Sequence, residues 1–168
     1  MTEQQKNNLI TVVERAAQSD HGTLLKFTVD EAIEAEGRAN DIPLISEAIS
    51  AALDDPMGKA LYFIARSYTM ASPSSASAQP SGHVSVVKEW SDWNNTYYLW
   101  ITSMYVAPFA RGEGVMSALL EAVDHFAREI KAPEVRIYVH KENMRGTRAW
   151  LREGFKESPY WMGHREVK

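Results

Sequence analysis

The stretch "YYLWITSMYVAPFARGEGVMSALLEAVDHFAREIKAPEVRIYV", residues 97–139, leaves this chain little topological freedom. A β-branched and aromatic run, 97–106, ends near a proline, passes an arginine and two glycines, and turns almost at once into an amphipathic helix. In that helix, 113–130, Val115, Leu119, Ala122, Val123, Phe126 and Ile130 form one apolar stripe. A second β-rich run follows at 133–139. A strand, a helix and a strand of these lengths close as a right-handed crossover, so the two strands should lie parallel in one sheet. The first of them is apolar or aromatic on both faces, which suits a central strand.

The remaining segments build outward from this unit. "HVSVVKEW" (83–90) faces 97–106 as a hairpin partner, with "SDWNNT" supplying the Ser-Asp and Asn-Asn of a turn. "LITVVERA" (9–16) and "ALYFIARSY" (60–68) read as strands. Between them lie two helices. One, 19–37, has Ser19 or Asp20 as cap and Gly37 as stop; the other, about 42–53, has Asn40 or Asp41 as cap and Pro43 in its first turn. A shorter helix at 144–153, closed by Gly154, leads to a last strand near 159–167. Residues 1–8 read as a loose terminus and "MASPSSASAQPSG" (70–82) as a flexible loop. The expected fold is one α/β domain over 9–168. Its central sheet is mixed and mostly antiparallel, with one parallel β-α-β crossover and helices on both faces.

Composition narrows the chemistry. The chain has 168 residues and no cysteine, which excludes disulfides, thiolate metal sites and a cysteine acyl-enzyme. A formal charge of −4 argues against a nucleic-acid partner and fits a small or cationic one. No apolar stretch approaches the ~18 residues of a membrane span. "MTEQQKNNLI" lacks a basic-then-apolar leader pattern, so a cytoplasmic location, with the nucleus as a further compartment, is expected.

The short junction is best explained as an anion seat. A helix start presents free N–H groups and partial positive charge, and glycines let a phosphate approach the backbone. Arg111, Gly112, Glu113, Gly114, Val115, Met116 and Ser117 wrap that first turn and are suited to cradle a pyrophosphate. The loop is not a Walker A motif, because the Gly-Lys-Ser/Thr ending is missing.

"ITSMYVAPFARGEGVMSALLEAV" resembles the central motif of the GCN5-related N-acetyltransferase (GNAT) superfamily: a strand, Val-x-Pro, then Arg-x-x-Gly-x-Gly/Ala opening a helix. The second family motif resembles "VHKENMRGTRAWLREGFKE", where Asn143 follows a strand and Gly154-Phe155 closes a short helix. The order of elements from about residue 9 to 167 is similar to the family's topology. "LLKFTVDEAIEAEG" and "YYLWITSMYV" also resemble the diamine (spermidine/spermine) acetyltransferase branch. The resemblance implies acetyl-CoA as cofactor. It implies a pantetheine arm paired with the strand backbone at Met104, Tyr105 and Val106, and a pyrophosphate on the amides of Gly112 to Ser117. Asn143, with Gly146 in the next turn, would hold the pantetheine or adenosine side. No metal is implied.

Three residues depart from the family pattern. Met116 stands where Gly or Ala is usual; its N–H remains, but its side chain must point away. Trp150 stands where the family commonly has a tyrosine that protonates the leaving thiolate, and an indole N–H is not a proton source near neutrality. Thr102 stands where the diamine branch has a glutamate. A thiolate of pKa near ~8.5 leaves without much help, whereas an amine of pKa ~10.4 costs about 4.6 kcal/mol to deprotonate at neutral pH. His140, just past the 133–139 strand, is the candidate base, with Tyr138 beside it as a polarising group; Tyr105 and Tyr160 are weaker stand-ins for the tyrosine. Direct transfer is favoured, with a backbone N–H near Val106 meeting the oxyanion.

For the acceptor, the resemblance implicates the two N-terminal helices and the hairpin turn. They carry Glu31, Glu34, Glu36, Asp41 and Asp92 beside Trp90, Trp93 and Trp100, suited to a cationic amine. Tryptophans around a turn are equally suited to a homodimer contact. The leading expectation is transfer to a primary amine of a small molecule, polyamine-like or amino-acid-like. A protein lysine or N-terminal acetyltransferase, and a CoA-binding module that has lost catalysis, are the alternatives.

Overall fold

The computed structural model describes residues 9–37, 41–69 and 78–167. Five strands form one sheet in sequence order: β1 (Leu9–Arg15), β2 (Leu61–Thr69), β3 (Gln79–Ser91), β4 (Thr96–Val106) and β5 (Val135–Ile137). The first four pair antiparallel, and β5 lies parallel to β4, as the crossover requires. Helices α1 (His21–Glu36) and α2 (Ile42–Asp54) link β1 to β2; α3 (Val115–Glu129) is the crossover, and α4 (Met144–Arg152) follows β5.

Local chemistry sets the helix ends. Asp41 caps α2 by accepting the Leu44 N–H at 3.1 Å, with proline in the first turn. Gly37 ends α1 in the left-handed region at φ 63°. Asp20, buried at the start of α1, accepts the Ala17 N–H at 2.9 Å and pairs with Arg66 of β2, which fastens the helix to the sheet.

The core lies on one face of the sheet. There α3 lays Val115, Leu119, Leu120, Val123 and Phe126 against Leu61, Phe63, Val84, Val86, Leu99 and Ile101. Each such side chain contributes roughly 1.5–3 kcal/mol on burial. On the opposite face α1 packs Phe27 against Tyr105 and Ala107. Gly82 lets β3 press close, since a Cβ there would stand 2.6 Å from the Tyr105 carbonyl oxygen.

Three expectations need correction. Residues 79–82 belong to β3 and not to a loop, pairing with β2 across a bulge at Ala65/Arg66 that accommodates Pro80. The rest of that stretch, 70–77, and the terminus 1–8 lie outside the described residues, as does Asn40. Strand β5 has three residues, shorter than the seven of 133–139. No strand forms at 159–167: Pro159 and Gly163 interrupt the run, and Tyr160, Trp161 and Met162 stay exposed.

Candidate active site

A bulge in β4 creates the site. Ser85 faces Ser103 while Val86 faces Ile101, so Thr102 is an extra residue on β4. The insertion reverses which residues face the core. Leu99 and Ile101 point to α3 before it, and Tyr105 points to α1 after it. Pairing with β5 stops at Ile101↔Ile137. From there to Val106, β4 has an edge that no described strand covers.

Charged side chains occupy that edge. Glu31 of α1 accepts the Met104 N–H at 3.0 Å and a short hydrogen bond from the Ser103 hydroxyl. Arg111, from the junction, donates through Nε to the Val106 carbonyl at 2.8 Å. Its Nη2 reaches both oxygens of Glu34 at 2.9 and 2.7 Å. Glu34 also accepts the Tyr105 hydroxyl at 3.1 Å. Burial alone would push the Glu34 carboxyl up, but the bonds from Arg111 and Tyr105, with the charges of Arg111 and Arg145, outweigh it and hold it below its usual value. Burial, helped by the Glu34 carboxylate, pushes the Tyr105 phenol up to about 12.

A buried polar layer lies behind Glu31. His83 is fully buried, and its Nε2 lies 3.1 Å from the Ser103 hydroxyl. Since Ser103 donates to Glu31, the network places the imidazole proton on Nε2, leaving buried Nδ1 without a partner among the described residues. Tyr62 stacks on His83, and Ser85 shares a 2.8 Å hydrogen bond with Thr102. Burial, then the Glu31 charge, raises the Tyr62 phenol against the lowering bond from Ser85.

The junction completes the site at the other end of the edge. A 3-10 turn, Pro108–Ala110, leads to Gly112 and Gly114, both left-handed at φ 81° and 82°. L side chains disfavour that region, which explains the two glycines. A Cβ at either would meet no protein atom within 4 Å, so open space lies beside these amides. The ladder of α3 first uses the Ala118 N–H, to Gly114 at 3.0 Å. The amides of Val115, Met116 and Ser117 therefore sit at a helix start without intrahelical acceptors. The Val115 and Met116 side chains pack on the core, away from the loop. The Ser117 hydroxyl donates to Glu153 at 2.8 Å. Glu113 donates its N–H to the Ala110 carbonyl at 3.4 Å.

The profile of the acetyltransferase (GNAT) family matches residues 47–155. The chain belongs to that family. It is an acetyl-CoA-dependent N-acetyltransferase. A possible acetyltransferase from Clostridium difficile 630 is 26% identical, with a TM-score of 0.80 over 95% of this chain and 99% of its own. AAC(6')-Iy, in complex with the bisubstrate analog CoA-S-monomethyl-acetylneamine, is 14% identical with a TM-score of 0.71, covering 95% of this chain and 99% of its own. A ribosomal-protein-alanine N-acetyltransferase from Brucella melitensis biovar Abortus 2308 has the same identity and TM-score, covering 95% of this chain and 100% of its own. No match is found among curated proteins. Among the described residues no helix is long and apolar enough to cross a membrane, and no group of metal-binding side chains occurs.

The residues of this acetyltransferase fit the CoA diphosphate: first-turn amides, left-handed glycines and open space meet at one place. Other expected site residues fall elsewhere. Asn143 caps α4, accepting the Gly146 N–H at 2.8 Å, so its oxygen is engaged and Gly146 packs against it. Trp150 packs on the core edge-on to Phe155, 5.1 Å between centroids. His140 is exposed in the turn after β5, its Nδ1 accepting the Glu142 N–H at 3.3 Å. Tyr138 leans on Trp100 at 6.2 Å, and Tyr160 is exposed in the C-terminal segment.

Asp92 and Trp93 sit in the hairpin turn, about 26 Å from Met104 at some 3.3 Å per residue of β4. Trp90 donates to Asp92 at 2.9 Å, Trp100 donates to Glu89, and Trp93 is 95% exposed. This cluster is thus separate from the edge that Glu31 and Glu34 approach. Asp41 is a helix cap, and the Glu36 side chain lies outside the described residues. Ser103, His83, Ser85 and Tyr62 were not expected at the site. Their signal is the polar pair His83 and Ser85, two apart on a strand otherwise rich in valine.

Proposed function

We propose that this enzyme acetylates a primary amine of a small cationic molecule, polyamine-like or amino-acid-like, in a single direct step. The observation carrying this reading is the pair of α1 carboxylates, Glu31 and Glu34, bonded at the uncovered edge of β4 beside the α3 amides. Acetyl-CoA, when bound, supplies an acetyl thioester from which the acetyl group passes to the amine and the thiol is released. In this reading the amides of Gly112 to Ser117 hold the diphosphate. The edge groups of Met104, Tyr105 and Val106 hold the pantetheine arm, and the Met104 or Val106 N–H faces the carbonyl oxygen. A chain without cysteine supports direct transfer, since no thiol is present to take the acetyl group.

The amine must lose a proton, and His140 is the proposed acceptor at the solvent side. Its Nδ1 becomes available when the long 3.3 Å bond to Glu142 exchanges for a proton. Tyr138, exposed two residues earlier, polarises that wall. The test is a thiol-release assay over polyamines, amino acids, aminoglycosides and peptides. Turnover of a small amine supports the reading. Turnover of peptides alone would replace it with a protein acetyltransferase, and cofactor binding without turnover would make the chain a CoA-binding module. The exposed Trp93 turn is a proposed homodimer contact in place of an acceptor wall.

A further inference from the structure

We propose that Glu31 serves in turn as a plug and as the acceptor's anchor: it holds the Met104 N–H in the free protein and binds the acceptor's ammonium once the cofactor takes that N–H. This rests on the acetyltransferase reading above and adds a residue that determines specificity for cationic acceptors. The geometry carries it. Beyond the bulge β4 presents an uncovered edge, and two of its backbone groups are met by side chains: Met104 N–H by Glu31 and Val106 C=O by Arg111. An extended ligand pairing with this edge must displace them. Once displaced from the Met104 N–H, the Glu31 carboxylate cannot retreat unpaired into the buried layer behind it, because an unpaired anion is expensive to bury. It keeps its short bond to Ser103, which His83 supports from behind, so it swings about that anchor and remains beside the edge. There it needs a new donor, and an ammonium supplies both hydrogen bonds and charge. Glu34 is less suited, since Arg111 and Tyr105 already occupy it.

The test uses the full chain and calorimetry with acetyl-CoA, then with spermidine as probe on the CoA-loaded protein. Glu31→Gln keeps the shape and the hydrogen-bonding oxygen but weakens the hold on Met104. It should bind acetyl-CoA about three- to tenfold more tightly, since charge-assisted bonds are roughly twice as strong as neutral ones. It should bind spermidine at least about tenfold more weakly, a loss in the range for a charged contact. Asp30→Asn removes the same charge from the same helix at a residue paired with Lys26, and should change neither constant by more than about twofold. Equal tightening in Asp30→Asn, unchanged or weaker acetyl-CoA binding in Glu31→Gln, or undiminished spermidine binding would each overturn the proposal. Failure of the wild type to bind acetyl-CoA would instead bring down the reading on which it rests.

Discussion

Arg111 ties two elements to one strand: its Nε donates to the Val106 carbonyl while its Nη2 meets both oxygens of Glu34 on α1. The same carboxylate accepts the Tyr105 hydroxyl, so helix, junction and strand edge are held through Glu34. Its reach extends to pH. The Glu34 carboxyl is held below its ordinary 4.5, so its stabilising share is present above that value and is lost as pH falls through the lowered one. Tyr105 has the opposite sign. Its phenol rises from 10.0 to about 12, so its share is complete below pH 10.0 and lost on the way to about 12. Tyr105→Phe should therefore show a shallower fall in urea midpoint over that alkaline interval than the wild type. Parallel curves would contradict this.

Gly112 and Gly114 provide a second prediction. Each holds a left-handed φ with open space where a Cβ would stand. Alanine at either position should fold but lose about 1–2 kcal/mol of stability. Its methyl would project beside the amides, so acetyl-CoA affinity should fall at least about tenfold, or roughly 1.4 kcal/mol. Denaturation and calorimetry on the same samples check both. Full affinity in both variants would show that the cofactor avoids this loop.

Trp150, which the family resemblance would set at a tyrosine position, packs on the core against Phe155. Trp150→Phe should leave kcat within about twofold, because an indole N–H donates no proton near neutrality. A kcat loss of about a hundredfold, with the thermal midpoint unchanged, would give the indole a chemical role.

His140→Ala should lower kcat/KM by about ten- to a hundredfold, in the range of a lost general base. It should leave acetyl-CoA affinity unchanged. A variant retaining full rate at every pH would remove His140 from the mechanism.

The crossover was legible because two strands, an amphipathic helix and a glycine-rich turn each announce their period locally. The junction was legible for the same reason, since Gly112 and Gly114 mark a backbone that only glycine adopts easily. The edge contacts were not. Glu31 and Met104 are far apart in sequence, and the bulge at Thr102 that turns the Met104 N–H outward leaves no compositional mark. A carboxylate on an amphipathic helix reads as solvated until the sheet beside it is known. The turn cluster around Trp93 misled for a related reason: an aromatic-acidic group attracts a cation wherever it lies, and only the strand register shows that it lies at the far end of β4.

The account depends most on the α3 amides binding a diphosphate, and backbone NMR during an acetyl-CoA titration tests this directly. Gly112, Gly114, Val115, Met116 and Ser117 should show the largest saturable amide shifts, with slowed hydrogen exchange at the three helical positions. Saturable binding that leaves those five signals unmoved would contradict the account.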